Sequence, residues 1–341
     1  MRILILSIIL VLVNKTIFSK DLFNSSFYKL DFVSNNIEDD KLKQISKIKQ
    51  DSFLNILQNT LNIENYKNIE NDLTDDLINT FVKNIVINDE KIINDKYSSS
   101  IKINFNKNKI INYFRDKNLS YIEFYPDKIL LIIYEEDKIN DNLFSKNNNY
   151  YKYFNEFLSN NYLFKIPNLD INDRYILKKE HLINKDLKKI NNFSEKYNLD
   201  DAIIVIAKKN ENKVNYNLIL FSDNKIYEKE IQFNKHKFEE FFKILEIETL
   251  DLWKKINEIQ NIKLNYLNFK IKYYNLLELK EIRSKLNKVS IIKEFNVKSI
   301  FYRNIEYEFL FYGNMKKLYK IFQYYELQIN NLEEKCTIRL K

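Results

Sequence analysis

A single glycine, Gly313, serves all 341 residues of this chain. Glycine reaches positive φ without steric penalty and lets a ligand approach the backbone where a Cβ would block it. Whole classes of site depend on that property. A phosphate-cradling P-loop needs two glycines, a dinucleotide-binding fingerprint three, and a Gly-x-Ser-x-Gly nucleophile elbow two. None of them can be written with one. The shortage also constrains turns. Asparagine is the next most tolerant residue in the left-handed region. The chain's many asparagines are therefore expected to take over glycine's turn positions, and a pair such as Asn147-Asn148 reads as an ordinary turn.

The shortage belongs to a wider bias. Alanine occurs only at Ala202 and Ala207, arginine is rare, and Lys, Ile, Asn, Phe and Tyr are abundant, which is the signature of AT-rich codons. An apolar share of 45%, with 15% aromatic, is ample for packed cores. The length suggests two or three domains.

The N-terminus reads Met1-Arg2, an 11-residue apolar run from Ile3 to Val13, and a polar stretch ending in Ser19 before Lys20. This is the layout of a cleaved secretory signal, residues 1–19. A retained membrane anchor is the alternative, although a span needs about 20 apolar residues. No cysteine follows the run, which disfavours a lipoprotein. The chain is expected to be exported, periplasmic or envelope-associated. Cys336 is the sole cysteine, so no intrachain disulfide and no cysteine-rich metal site can form. It reads as a small apolar residue in a terminal strand. Without residues 1–19, which include Arg2 and Lys15, the net charge falls from +8 to +6. The charges are interspersed, with no basic block of the kind that marks a nucleic-acid tail.

Three regions follow. Residues 20–128 form an N-terminal α+β domain. It has a strand at Phe27–Val33, a helix after Asp39-Asp40, a second helix from Asp72, a hairpin pairing Lys83–Ile93 with Tyr97–Phe105, and a helix capped by Asn106. Residues 129–257 form a central α/β domain in the order β-α-β-α-β-β-β-α, which implies a mixed sheet with helices on its faces. Its strands are Ile129–Tyr134, Tyr162–Pro167, Ala202–Ala207, Val214–Phe221 and Lys225–Phe233, and its last helix runs from Phe238 to Ile256. Residues 261–341 read βαββαβ with an extra strand, a ferredoxin-like module. The fold class is thus α/β (α+β), a multi-module chain.

Several stretches resemble the bacterial family of exported proteins known as domain of unknown function 2066. They are Tyr97–Phe105 followed by Ile110–Leu119, Lys128–Ile133, Phe164–Asp170 with its Pro167, Lys196–Val205, and Leu310–Leu318 around Gly313. The resemblance implies an exported, envelope-associated protein of unknown role and transfers no catalytic residue.

No catalytic, cofactor-binding or metal-ligating residue is assigned. His181 and His236 are the only histidines, 55 positions apart with no cysteine nearby, and both read as solvated. Asp200-Asp201 reads as a helix-to-strand turn, Pro167 with Asp170 as a strand-ending loop, and Glu135-Glu136-Asp137 as a solvated turn lacking the spaced ligands of a calcium loop. Tyr273-Tyr274, Tyr324-Tyr325 and Phe301-Tyr302-Arg303 interleave aromatics with basic residues, a pattern that stacks on bases or sugars when exposed, although codon bias alone also produces it. Gly313 reads as a left-handed strand-to-helix turn.

Three functions compete. The leading one is a non-enzymatic binding or scaffold protein with an envelope protein as partner, no cofactor and no nucleic acid. The second is an exported hydrolase with an Asp/Glu-based site. The third is peripheral association with an anionic surface. A contiguous apolar patch would favour binding, and a polar cleft would favour catalysis.

Overall fold

The computed structural model describes residues 22–136, 143–209, 213–234, 237–261, 263–332 and 335–340. The signal or anchor segment 1–19, Asp137 and His236 lie outside them. In chain order the first region holds β1 (Tyr28–Val33), α1 (Ile37–Thr60), α2 (Ile63–Ile69), α3 (Asp75–Phe81), β2 (Val82–Ile93), β3 (Lys96–Phe105) and α4 (Lys107–Asp116). The central region holds β4 (Ile129–Glu136), α5 (Asn149–Phe157), β5 (Phe164–Lys165), α6 (Ile171–Ile176), α7 (Lys179–Ile183), α8 (Leu187–Lys196), β6 (Ala202–Lys209), β7 (Lys213–Ser222), β8 (Lys225–Asn234) and α9 (Phe238–Asn257). The third holds β9 (Leu264–Lys272), α10 (Leu276–Leu286), β10 (Ile292–Phe301), β11 (Asn304–Tyr312), α11 (Met315–Tyr324), β12 (Leu327–Leu332) and β13 (Lys335–Leu340). The chain is mixed α/β throughout.

Asparagine does much of the local work. The side chains of Asn36, Asn62, Asn106, Asn148, Asn275 and Asn314 each cap a helix by accepting a backbone N–H from its first turn. Positive φ is taken by Asn94, Asn118, Asn198 and Asn224. Asn94 sits in the tight turn that closes the β2–β3 hairpin, where Ile93 pairs with Lys96. Asn148 caps α5 at φ −62°, so the pair Asn147-Asn148 begins a helix. Gly313 has φ +80°. A Cβ there would meet only Ile291 Cδ1 at an ordinary 3.6 Å, so backbone conformation alone calls for glycine.

The helix expected from Asp72 begins at Asp75, because the Thr74 hydroxyl accepts from Leu77 N and sets the start. β10 is a single strand bulged between Ile292 and Glu294 and again between Val297 and Ser299.

By contacts the chain forms two compact units. One is the central region, Tyr125–Asn257. The other joins the described residues up to Phe124 with those from Glu258 onward. In this second unit β1, β3 and β2 form an antiparallel sheet in that order. The inward residues of β3 alternate strictly as Tyr97, Ser99, Ile101, Ile103 and Phe105, and α1 packs on them through Phe53, whose ring lies 5.7 Å from Phe105. The third region contributes a five-stranded sheet in the order β10-β11-β9-β13-β12. This is the ferredoxin-like arrangement with its extra strand wedged inside. β13 runs parallel to β9 and antiparallel to β12, and so separates the two.

Glu123 joins the two parts of this unit. Its buried carboxylate accepts from Lys107 Nζ (2.7 Å), Ser290 N (2.8 Å), Ser290 Oγ (2.6 Å) and Tyr325 OH (3.0 Å). Nearby, Tyr121 and Ile259 exchange backbone hydrogen bonds as an antiparallel bridge. The chain therefore leaves this unit and re-enters it at adjoining points.

The central sheet runs β5-β4-β6-β7-β8, with β5, β4 and β6 parallel and β7 and β8 antiparallel. β4 and β6 are buried nearly end to end, as their continuous apolar runs require. The strand expected over Tyr162–Pro167 is cut to Phe164–Lys165. Asn161 Oδ1 turns the chain just before it by accepting from Leu163 N and Phe164 N, and Pro167 has no N–H to give. Beyond Leu130, β4 therefore has no strand neighbour on this side among the described residues. Side chains replace it: Ile133 N donates to the Tyr151 hydroxyl at 2.8 Å, and Asn148 Nδ2 donates to Ile133 O at 3.5 Å.

Candidate functional site

Ligands of open α/β sheets lie outside the carboxyl ends of the strands where the strand order reverses. From β4 the chain goes to β5 on one side and then to β6 on the other, so that point falls between the ends of β4 and β6. A crevice of about 110 Å³ opens there, lined among others by Glu135, Lys209, Tyr150, Tyr216 and Glu240. Glu135 is buried, and its carboxylate pairs with the Lys209 ammonium. The Tyr150 and Tyr216 hydroxyls hydrogen-bond at 2.9 Å, and burial pushes both phenols above their ordinary pKa. Glu240 stands exposed in the first turn of α9. Hydrolysis needs one group to donate a proton and another to accept it at a shared substrate position. In this crevice the buried carboxylate is already neutralised by its lysine, and the buried hydroxyls resist ionisation.

The Glu135-Glu136 pair is therefore not the solvated turn that its composition suggested. It ends β4, where Glu136 also pairs with Lys208 at 3.0 Å. The sequence carried the signal, since two adjacent parallel strands each close an apolar run with a charged pair of opposite sign.

The Pro167 loop is pinned from below. Buried Asp173 accepts from Leu169 N (2.9 Å), Lys196 Nζ (2.7 Å) and Tyr197 OH (2.5 Å), while Asn168 N donates to Tyr197 OH at 3.0 Å. Asp170 caps α6 by accepting from Asp173 N at 2.8 Å. The loop ends β5 as expected. Asp173, its anchor, was not singled out by sequence, because only the fold brings Lys196 and Tyr197 to it.

The other singled-out residues take local roles. His181 Nδ1 accepts from Lys178 N at 3.1 Å in the first turn of α7. Asp201 precedes β6 and accepts from the Trp253 indole at 2.7 Å. Cys336 lies partly buried in β13, with Tyr319 OH at 3.5 Å. Among the described residues no group of three or more His, Cys, Asp or Glu is placed to hold a metal ion, and no helix is long and apolar enough to cross a membrane.

The aromatic sets separate. Tyr325 belongs to the Glu123 joint, and Tyr324 stacks on Phe124 with ring centroids 5.4 Å apart. Tyr274 and Phe301-Tyr302 instead meet at one end of the third-region sheet. There the β10–β11 turn abuts the end of β9: Asn304 pairs with Lys272, and Tyr273 N donates to Arg303 O at 3.1 Å. The chain next enters α10 through Asn275, so Leu276 and Leu277 project from the same end. Tyr274, Leu276, Leu277, Ile300, Phe301 and Tyr302 are 72, 75, 79, 70, 52 and 83% exposed. Lys270 Nζ lies 5.8 Å from the Phe301 ring centroid, and the Arg303 guanidinium 5.1 Å from that of Tyr302. Leu276 and Leu277 were missed as surface residues because apolar positions at a helix start ordinarily turn inward.

No protein-family model matches the chain, and no curated protein matches it. Among solved structures it is similar to the LpoB C-terminal domain from Salmonella enterica, at 10% identity over 38% of this chain and 95% of that one, with a TM-score of 0.22.

Proposed function

We propose that this is an exported cell-envelope protein that acts by binding another envelope component, related to the proteins of domain of unknown function 2066. The observation that carries the binding reading is the exposed apolar end of the third region. Six large apolar side chains held in water by a sheet turn and a helix start are costly to a soluble chain unless something covers them. The polar interior supports the same reading: Glu123, Glu135 and Asp173 are each engaged by donors within the fold. The basic n-region and apolar run at the N-terminus support export.

Two measurements test this. A reporter enzyme active only outside the cytoplasm is fused to the whole chain, with N-terminal sequencing expected to start at Lys20. A photo-crosslinking residue at Tyr302 is expected to capture an envelope component that the same residue at Ile93, on the β2–β3 hairpin, does not. Equal capture from both positions would remove the binding reading.

A further inference from the structure

We infer that the exposed end of the third region docks on an anionic lipid surface, inserting Leu276, Leu277, Phe301 and Tyr302 among the headgroups. The envelope reading names which membrane the chain meets; the docking itself rests on the geometry alone.

Charge complementarity identifies the occupant. Segments 270–280 and 298–306, which build this end, carry Lys270, Lys272, Lys280, Lys298 and Arg303. They carry two acids, Glu278 and Glu306, and both are engaged locally. Glu278 accepts from Tyr274 N at 2.6 Å, and Glu306 accepts from Ser299 Oγ at 2.8 Å. These neutral donors leave both carboxylates charged, and five basic against two acidic residues give the segments a net charge of +3 around an apolar tip. Aliphatic side chains flanked by tyrosine, lysine and arginine suit the lipid–water boundary, where rings rest at headgroup depth and basic stems extend to phosphates. The form also fits. The most exposed of these side chains belong to a turn and to the first residues of a helix, so they protrude from the module. A bilayer accepts protruding tips without a matching cavity.

The test is flotation of the full chain with vesicles of phosphatidylglycerol and phosphatidylcholine, against phosphatidylcholine alone. Binding is expected on the anionic vesicles and is expected to weaken with salt. Lys272→Gln and Arg303→Gln are each expected to lower the partition constant by about fivefold. Leu277→Ser with Tyr302→Ser is expected to abolish flotation, whereas Ile92→Ser with Ile93→Ser, also exposed but on another hairpin, leaves it unchanged. The substituted positions are on the surface, and an unchanged circular dichroism spectrum checks the fold. Absence of flotation for the natural chain, or flotation insensitive to the Leu277/Tyr302 pair, overturns the proposal. So does tip-dependent self-association in the absence of lipid, which would make a second copy the occupant. A reporter retained in the cytoplasm with flotation intact would remove the export reading and leave the lipid site standing.

Discussion

Ser290 donates its hydroxyl proton to Glu123 Oε2 at 2.6 Å across 167 positions of chain. With Lys107 and Tyr325 on the other oxygen, this buried carboxylate ties the first region of the sequence to the third. Removing it with Glu123→Ala leaves the buried Ser290 amide without its acceptor, while Lys107 keeps Lys288 O and the Tyr325 hydroxyl, and is expected to cost about 1–3 kcal/mol. The sole tryptophan, Trp253, lies in the central unit. Calorimetry should therefore show a transition moved to lower temperature, while the Trp253 fluorescence transition stays in place.

Tyr151→Phe is expected to act on the other unit. It strips the partner from the Ile133 amide on a strand edge that β5 does not cover. A buried N–H left without an acceptor costs about 1–3 kcal/mol. The urea midpoint read by Trp253 fluorescence should fall accordingly, with the slope unchanged.

Lys254 predicts a pH dependence. Burial lowers its pKa from 10.5 to about 8, with Asp251 pulling the other way. The unfolded chain binds this proton more readily between those values, so stability rises with pH from about 8 to 10.5, and the full penalty applies below 8. Lys254→Met is expected to remove that rise. The check is the difference in unfolding free energy between variant and natural chain as a function of pH. A difference that stays constant through the window would refute it.

Gly313 sets a ranking of substitutions. Since φ of +80° is the constraint and space is not, Gly313→Asn should cost less than Gly313→Ala, and Gly313→Val the most. Alanine is expected to lose about 1–2 kcal/mol. Thermal denaturation of the three variants orders them.

Because Tyr121 and Ile259 are bridged, a short linker joining Phe124 to Glu258 is expected to leave the outer unit folded without residues 125–257. Dispersed amide resonances and retained protection of the Ser290 amide, which donates to Glu123, are the expected readout. A collapsed spectrum would show that the outer unit needs its insert.

Local structure was largely legible. The Asn106 cap, the apolar runs of β4 and β6, and the left-handed Gly313 all follow from short-range patterns that need no partner. β5 is short for local reasons, since Asn161 turns the chain just before it and Pro167 has no N–H to give. Two other failures share a different cause. Asp173 is an anchor because Lys196 and Tyr197 arrive beneath it, and Glu135 is buried because Lys209 ends the neighbouring strand. Each depends on a residue far along the chain, which a pattern read in a window cannot contain. The apolar tip was half visible: its aromatics stood out in the sequence, but nothing in their spacing told Phe301-Tyr302 from Tyr324-Tyr325, one pair exposed and the other half-buried.

The Tyr121–Ile259 bridge also sets an order of events. The contacts that close the outer unit wait for the third region to be made, whereas the central unit is complete in sequence by Asn257. Folding of the central unit first would shorten the loop that the Tyr121–Ile259 bridge has to close, and so lower the entropy cost of closing the outer unit. On that order of events, a slow phase in refolding of the outer unit should follow the change in Trp253 fluorescence.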